Sequence, residues 1–323
     1  MTGKMLRAKG LAHRTLIIPA IAFLTTLFSL TASALDVRYA DRDGDLIADT
    51  PAQTVNPSTL LFAYTPGEDP ALYGSVWGGF LRHVEKVTGK RIRFFGAQSN
   101  TAQIEAMRAG RLHVAAFGTG AVPIAVNCAG FVPFAIMGGD HGILGYEMEI
   151  ITYPGSGIKS PADLKGRRIA FTSPTSNSGF KVPSVLLRSE FGLEPERDYN
   201  AVFAGRHENS VLGVAHHDYE AAAIANEVMH RMMARKVVRS DQIVTVYKSS
   251  TFPTAAFGLA YNIAPQLQAK IRNAFFSFPW TGSALAKEFA TLDVSKFMPI
   301  TYRENWAVVR KIDAALNIDY SCR

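Results

Sequence analysis

Between Thr59 and Phe117, short apolar runs alternate with amphipathic stretches, and this alternation leaves few architectures open. Residues 60–64 read as a buried strand ending in the turn Thr65-Pro66-Gly67-Glu68. Asp69 then caps a helix with Pro70 at its first position; Val76, Phe80, Val84 and Val87 form its apolar face, and Gly89 stops it. A strand over 92–95 follows. Ser99 caps a second helix, with Gln103 completing a capping-box-like pair and Gly110 closing it, before a strand over 113–117. Strand, helix, strand, helix, strand in this order predicts a mainly parallel α/β sheet.

A second lobe of the same kind begins near Tyr146, with strands over 147–153, 168–171, 201–204 and 220–224. After Val246 the chain reads as crossing back to the first lobe. The stretch 170–180 runs from a strand into Thr172-Ser173-Pro174-Thr175-Ser176-Asn177-Ser178-Gly179, which opens a helix. A helix start offers unpaired N–H groups and the positive end of the peptide dipole, so such a turn can seat an anion. Ser176, Asn177 and Ser178 add short donors, and Gly179 would let a ligand approach the backbone. The same cluster also serves as an ordinary N-cap, and sequence alone leaves both readings open. In parallel sheets the ligand crevice lies beyond the carboxyl ends of the strands, where Thr65, Asn100, Thr101, Ser176, Ser178, His207 and Glu227 all fall.

Residues 1–34 carry Lys4, Arg7, Lys9 and Arg14 with no acid, then an apolar run over 16–30, then Ala32-Ser33-Ala34. That is the pattern of a secretory signal peptide cleaved after Ala34, its apolar run being short of the roughly 20 residues of a spanning helix. Removing four of the 34 basic residues leaves 30 against 27 acids, about +3, so no basic face for nucleic acid is implied. Cys128 and Cys322 can pair in an oxidising compartment or stay free; spacing does not decide. Residues 35–58 form a polar acidic lead-in. There Asp41, Asp43, Asp45 and Asp49 alternate around Gly44 as in calcium loops, but the glycine falls one place before the third Asp and Ala52 stands at the twelfth position. A solvated segment is the preferred reading, and no metal or cofactor is expected.

Taken together, the Thr65-Pro66 turn, the run 105–115 (EAMRAGRLHVA), the seat 174–179, the turn Gly205-Arg206-His207-Glu208 and the strand 220–224 resemble the phosphonate- and phosphite-binding proteins of ABC importers. The resemblance covers about 60–316. It implies two α/β lobes of the type II periplasmic binding class, lobe 1 from 59–145 plus 251–323 and lobe 2 from 146–250. It also implies capture of a small phosphorus oxyanion between the lobes by a periplasmic monomer that delivers it to a permease in the inner membrane. Ser176 and Ser178 stand where the family's serines hold phosphonate oxygens, Asn177 where a further hydroxyl often sits, and His207 where a histidine reaches the same oxygens. Aminophosphonate binders carry a first-lobe tyrosine where this chain has Asn100, and a second where it has Phe117. Glu227 matches a carboxylate that pairs with a ligand amine, whereas the second acid of that cage is Ala255. These departures favour phosphite or methylphosphonate over an aminoalkyl ligand, because a buried ammonium needs paired charge.

Two other functions use the same residues. A ligand-sensing subunit of a membrane receptor would need the same fold. A Ser/His hydrolase would need an orienting partner for His207, but no G-x-S-x-G elbow is present, and Glu208 is only its chain neighbour.

Overall fold

The computed structural model describes residues 35–36, 38–292, 294–320 and 322; the segment expected to be a leader and the expected cleavage point after Ala34 lie outside them. In chain order, β1 (Thr59–Ala63) is followed by α1 (Pro70–Val76), α2 (Gly78–Thr88), β2 (Arg91–Phe94), α3 (Asn100–Arg108), β3 (Val114–Phe117) and α4 (Val122–Ala129). Then come β4 (Phe131–Gly139), β5 (Gly142–Ile143), β6 (Gly145–Thr152) and β7 (Arg168–Phe171). A π-helical turn (Asn177–Lys181) leads into α5 (Val182–Phe191), β8 (Asn200–Phe203), α6 (His207–Ala215), β9 (Ala221–Ala225) and α7 (Asn226–Ala234). The chain ends with β10 (Val244–Pro253), β11 (Ala256–Ala260), α8 (Pro265–Phe276), α9 (Ala284–Glu288), β12 (Lys296–Pro299), α10 (Tyr302–Asn305) and α11 (Ala307–Ala315). Among the described residues no helix is long and apolar enough to cross a membrane.

Two sheets result. The first has the order β12-β4-β11-β3-β1-β2, with β5 beside β4; β2, β1 and β3 are parallel, and β11 lies antiparallel between β3 and β4. The second has the order β10-β6-β9-β7-β8, in which β9, β7 and β8 are parallel and β6 runs against both neighbours. Two α/β lobes are therefore present, but their sheets are mixed and not mainly parallel: each joins a parallel trio, β2-β1-β3 or β9-β7-β8, to strands paired antiparallel, because the chain crosses between the lobes and returns through β10 and β11. β6 and β10 pair antiparallel from Gly145↔Pro253 to Thr152↔Val244, and their shared end is where the chain leaves and re-enters the first lobe. β10 is far longer than the 244–246 run suggests, because a crossover strand is polar and half-exposed and lacks an apolar period.

Each sheet organises its own core. The first lobe packs Trp77, Phe80, Phe257, Phe275 and Phe297 into an aromatic cluster, with Phe80 and Phe275 edge to face at 4.7 Å. The second sheet is buried on both faces, and β9 shows the pleat: Ala222 and Ile224 serve one cluster, Ala221 and Ala223 the other. The lead-in departs from the solvated reading. Leu35, Leu46 and Ile47 pack on the first core, Val55 bridges to Ile263, and Tyr39 meets Tyr261 edge to face.

The C-terminal segment joins regions distant in sequence. Cys128 and Cys322 form a disulfide with Cα atoms 5.2 Å apart, fixing the chain end to α4. α11 reaches the second lobe: Ile312 packs on its core, and the fully buried Asp313 pairs with Lys181 at 2.7 Å. Lys181 also donates to the Gly120 carbonyl at 2.8 Å, and Tyr320 donates to Asp313 at 2.8 Å. Burial pushes Lys181 down and Asp313 up, each opposed by its partner's charge.

Candidate functional site

A cavity of about 150 Å³ opens between the lobes at the carboxyl ends of the parallel strands. Thr65, Asn100 and Thr101 line it from the first lobe, and Ser176, Asn177, Ser178, His207 and Glu227 from the second. All of the ligand candidates thus border one space, although they are contributed by turns up to 162 residues apart (65 to 227).

The seat differs in detail from an ordinary helix start. Beyond β7 the chain makes a π-helical turn before α5, a wide turn of the kind that often marks functional sites. Ser176 caps it: Oγ accepts from the Gly179 N–H at 3.0 Å, and the Lys181 N–H reaches the Ser176 carbonyl at 3.0 Å. Gly179 serves packing rather than ligand approach, since a Cβ there would stand 2.0 Å from Thr172 Oγ1. The close approach to the seat is made instead by Gly120 of the first lobe, where a Cβ would fall 2.4 Å from the Thr175 carbonyl and 2.5 Å from the Asn177 nitrogen. Asn177 and Ser178 are buried, and the Asn177 amide donates to the Tyr146 hydroxyl at 3.1 Å. Ser178 and Thr119 also hydrogen-bond that phenol.

His207 begins α6 beyond β8. Its Nδ1 accepts the Ala225 N–H at 3.0 Å, so the neutral ring carries its proton on Nε2, which faces Ser176 Oγ at 3.3 Å. Burial first, then the charge of Arg231, pushes His207 down to about 4. The histidine is therefore a neutral N–H donor at the seat and not a solvent-exposed turn residue.

The first lobe closes on this surface. Asn100 Nδ2 donates to Thr175 Oγ1 at 3.0 Å, and the Asp69 N–H donates to the Glu208 carboxylate at 3.0 Å. Asn100 thereby bridges the lobes, and its own Oδ1, which lines no bond among the described residues, remains buried beside the cavity. Gln103 does not complete a capping box; it donates to the Ala116 carbonyl at 2.9 Å, leaving Ser99 to cap α3 alone through the Ala102 N–H. Phe117 is buried against Phe131, and Ala255 lines the cavity.

At the far end of the cavity Glu227 neither stands free nor points away. It lies 3.5 Å from Arg231 Nη1, one turn along α7. Arg231 is buried and donates twice to Glu68 of the first lobe, at 3.1 and 2.8 Å. Tyr73 and Arg235 also hydrogen-bond Glu68, and Arg235 reaches Glu288 at 2.7 Å. Burial would raise Glu68, but Arg231, Tyr73 and Arg235 together hold it below the usual range. Glu227 and Glu288 are raised by burial, against the opposing charge of the arginines. Sequence reading missed Glu68, Arg231 and Tyr146; the i, i+4 spacing of Glu227 and Arg231 was the one local signal available.

The acidic loop lies apart. Carboxylate oxygens of Asp41, Asp43 and Asp45 fall within 4.8 Å of one another, but they accept the N–H groups of Leu46, Asp45 and Ile47, respectively. Asp49 turns to the Arg42 N–H at 3.3 Å. The loop's own backbone thus occupies one oxygen of each of these three acids, Asp41, Asp43 and Asp45, while Asp41 Oδ1 is buried without a hydrogen-bond partner among the described residues.

Comparison with known proteins gives the chain's family. Residues 62–306 match the family model for the periplasmic substrate-binding protein of phosphonate ABC transporters. The phosphate-import protein PhnD of Mycolicibacterium smegmatis is 27% identical over 268 residues, covering 80% of this chain and 83% of that protein. A binding protein component of an ABC phosphonate transporter from Pseudomonas aeruginosa superposes with a TM-score of 0.73 at 23% identity, covering 80% of this chain and 86% of that one. PhnD1 of Prochlorococcus marinus, solved with methylphosphonate, superposes with a TM-score of 0.71 at 14% identity, over 81% of this chain and all of that one.

Proposed function

Because the chain belongs to the periplasmic substrate-binding proteins of phosphonate ABC transporters, we propose that its cleft captures one small phosphorus oxyanion, phosphite or methylphosphonate before an aminoalkylphosphonate. Ser176, Asn177, Ser178 and His207 hold the oxygens from the second lobe. Thr65, Asn100 and Thr101 complete the site from the first. The two lobes, 59–145 with 251–323 against 146–250, close about the β6–β10 crossover. The exported chain, cleaved after Ala34, acts as a monomer and presents the loaded cleft to a permease in the inner membrane.

The observation that carries this reading is the state of His207. With Nδ1 accepting a backbone N–H, Nε2 must donate, and together with the serine hydroxyls it presents donors to an oxyanion. The same fact argues against a hydrolase: a ring protonated on Nε2 cannot take the Ser176 proton, and a backbone N–H occupies the place of the orienting carboxylate. A sensing role would use the same cleft, and no feature favours it over transport.

Titration calorimetry with phosphite, methylphosphonate, 2-aminoethylphosphonate, phosphate and sulfate tests the reading. At least one phosphorus oxyanion is expected to bind well below millimolar. If none does better than about 1 mM, near −4 kcal/mol, the capture function fails.

A further inference from the structure

The distal end of the cavity holds two buried polar atoms that the fold leaves open. Arg231 is 3% exposed, yet its Nη1 has no hydrogen-bond partner among the described residues, and the same is true of Glu227 Oε2. The two atoms form an ion pair with each other at 3.5 Å, without a hydrogen bond, and both residues line the cavity. The pair keeps its mutual charge attraction but leaves a buried donor and a buried acceptor without a hydrogen bond on one wall of a ligand cleft, and this unused capacity invites a ligand group.

The chemistry of that group follows from counting. Arg231 offers a donor and needs an acceptor; Glu227 offers an acceptor and needs a donor. An ammonium brings donors only, so it would satisfy Glu227, leave Nη1 unpartnered and set a second cation beside the guanidinium. A methyl or ethyl group satisfies neither atom. A hydroxyl supplies one O–H and two lone pairs, and so satisfies both. Charge points the same way. The network already sets Arg231 and Arg235 among Glu68, Glu227 and Glu288, so a ligand ammonium would add a third cation to it.

We propose that Glu227 and Arg231 form a distal specificity subsite that takes a hydroxyl on the ligand's phosphorus substituent and disfavours an ammonium there. This rests on the capture of a phosphorus oxyanion at the Ser176–His207 end. The natural ligand class it implies is a short hydroxyalkylphosphonate, with phosphite and methylphosphonate binding through the oxyanion end alone.

Calorimetry at one pH with ethylphosphonate, hydroxymethylphosphonate, 2-hydroxyethylphosphonate and 2-aminoethylphosphonate tests the proposal, because these share the oxyanion and differ in the distal group. Methylphosphonate and phosphite report on the oxyanion end. The better hydroxylated ligand is expected to bind at least about tenfold tighter than ethylphosphonate, the scale of one hydrogen bond to a charged group, and tighter than the amine. In Glu227→Leu and Arg231→Lys, each checked for native circular dichroism, the ratio of hydroxyl to ethyl affinity is expected to fall several-fold, whatever happens to absolute affinity. Equal binding of hydroxylated and ethyl ligands, or tightest binding of the amine, overturns the subsite while methylphosphonate or phosphite binding upholds the capture function. Failure of every phosphorus ligand overturns both.

Discussion

The two ends of the cleft are built from opposite materials. At the proposed oxyanion end the candidate ligand groups are neutral, namely serine hydroxyls, an asparagine amide and a histidine kept uncharged by burial, although Arg206 also borders the cavity there. At the distal end Glu68, Arg231, Arg235 and Glu288 form a charged cluster that spans both lobes. The neutral end can accept an anion without first losing a bound countercharge, and it contributes little to folding. The charged end contributes to folding and to lobe contact, because each buried ion depends on its partners. Ligand affinity and protein stability should therefore respond to different residues.

The largest effect is expected where the charged cluster is broken. Glu68→Leu removes the carboxylate that three side chains share and leaves Arg231 buried without its nearest countercharge. Breaking one partner of a buried pair costs about 3–5 kcal/mol, so urea denaturation of the ligand-free protein should show a loss of that order. A loss below about 1 kcal/mol, the level of an exposed pair, would mean that the cluster does not hold the lobes and that the contrast between the ends is false.

The oxyanion end should respond in affinity. Ser178→Ala removes one hydrogen bond to a charged ligand, a loss of about 1.5–3 kcal/mol, with little change in ligand-free stability. Ser176→Ala should cost similar affinity and, unlike Ser178→Ala, about 1 kcal/mol of stability, since Ser176 Oγ also caps the π-helical turn through Gly179. Calorimetry and denaturation on both variants separate these contributions. Equal affinity to wild type in both would place the anion elsewhere in the cleft.

How much of this was legible in the sequence follows the same division. The oxyanion end is local: a strand, a run of hydroxyl and amide residues and a glycine within 168–179 announce a turn built for donors. Even so, the role of Gly179 was misread, because its contact with Thr172 depends on how the turn folds back. The charged end is assembled from loops and helices more than 150 residues apart, and singly Glu68, Arg231 and Arg235 look like solvated surface charges. Gln103 looked like a capping residue because its preference for the Ala116 carbonyl is tertiary. The disulfide, at a separation of 194 residues, depends on a Cα distance that spacing cannot supply.

The smallest effect, and the most selective test of the neutral end, concerns the charge on His207. Its folded pKa of about 4 lies below the ordinary histidine value near 6.5. A depressed pKa means that the folded state resists protonation while the unfolded state accepts it. The stability His207 contributes is thus fully present above pH ~6.5 and is lost as pH falls from there toward 4. Between pH 6.5 and 8 it should add no slope to stability. It should also add none to the pH profile of affinity once ligand ionisation is subtracted, because Nε2 stays a neutral donor throughout. NMR of the histidine side chains in the ligand-free protein should assign His207 as the Nε2–H tautomer with no titration above about pH 5. A midpoint near 6.5 would mean that the ring can take a second proton on Nδ1. The bond from the Ala225 N–H would then be lost, and the oxyanion end would become a switchable cation instead of a fixed neutral donor.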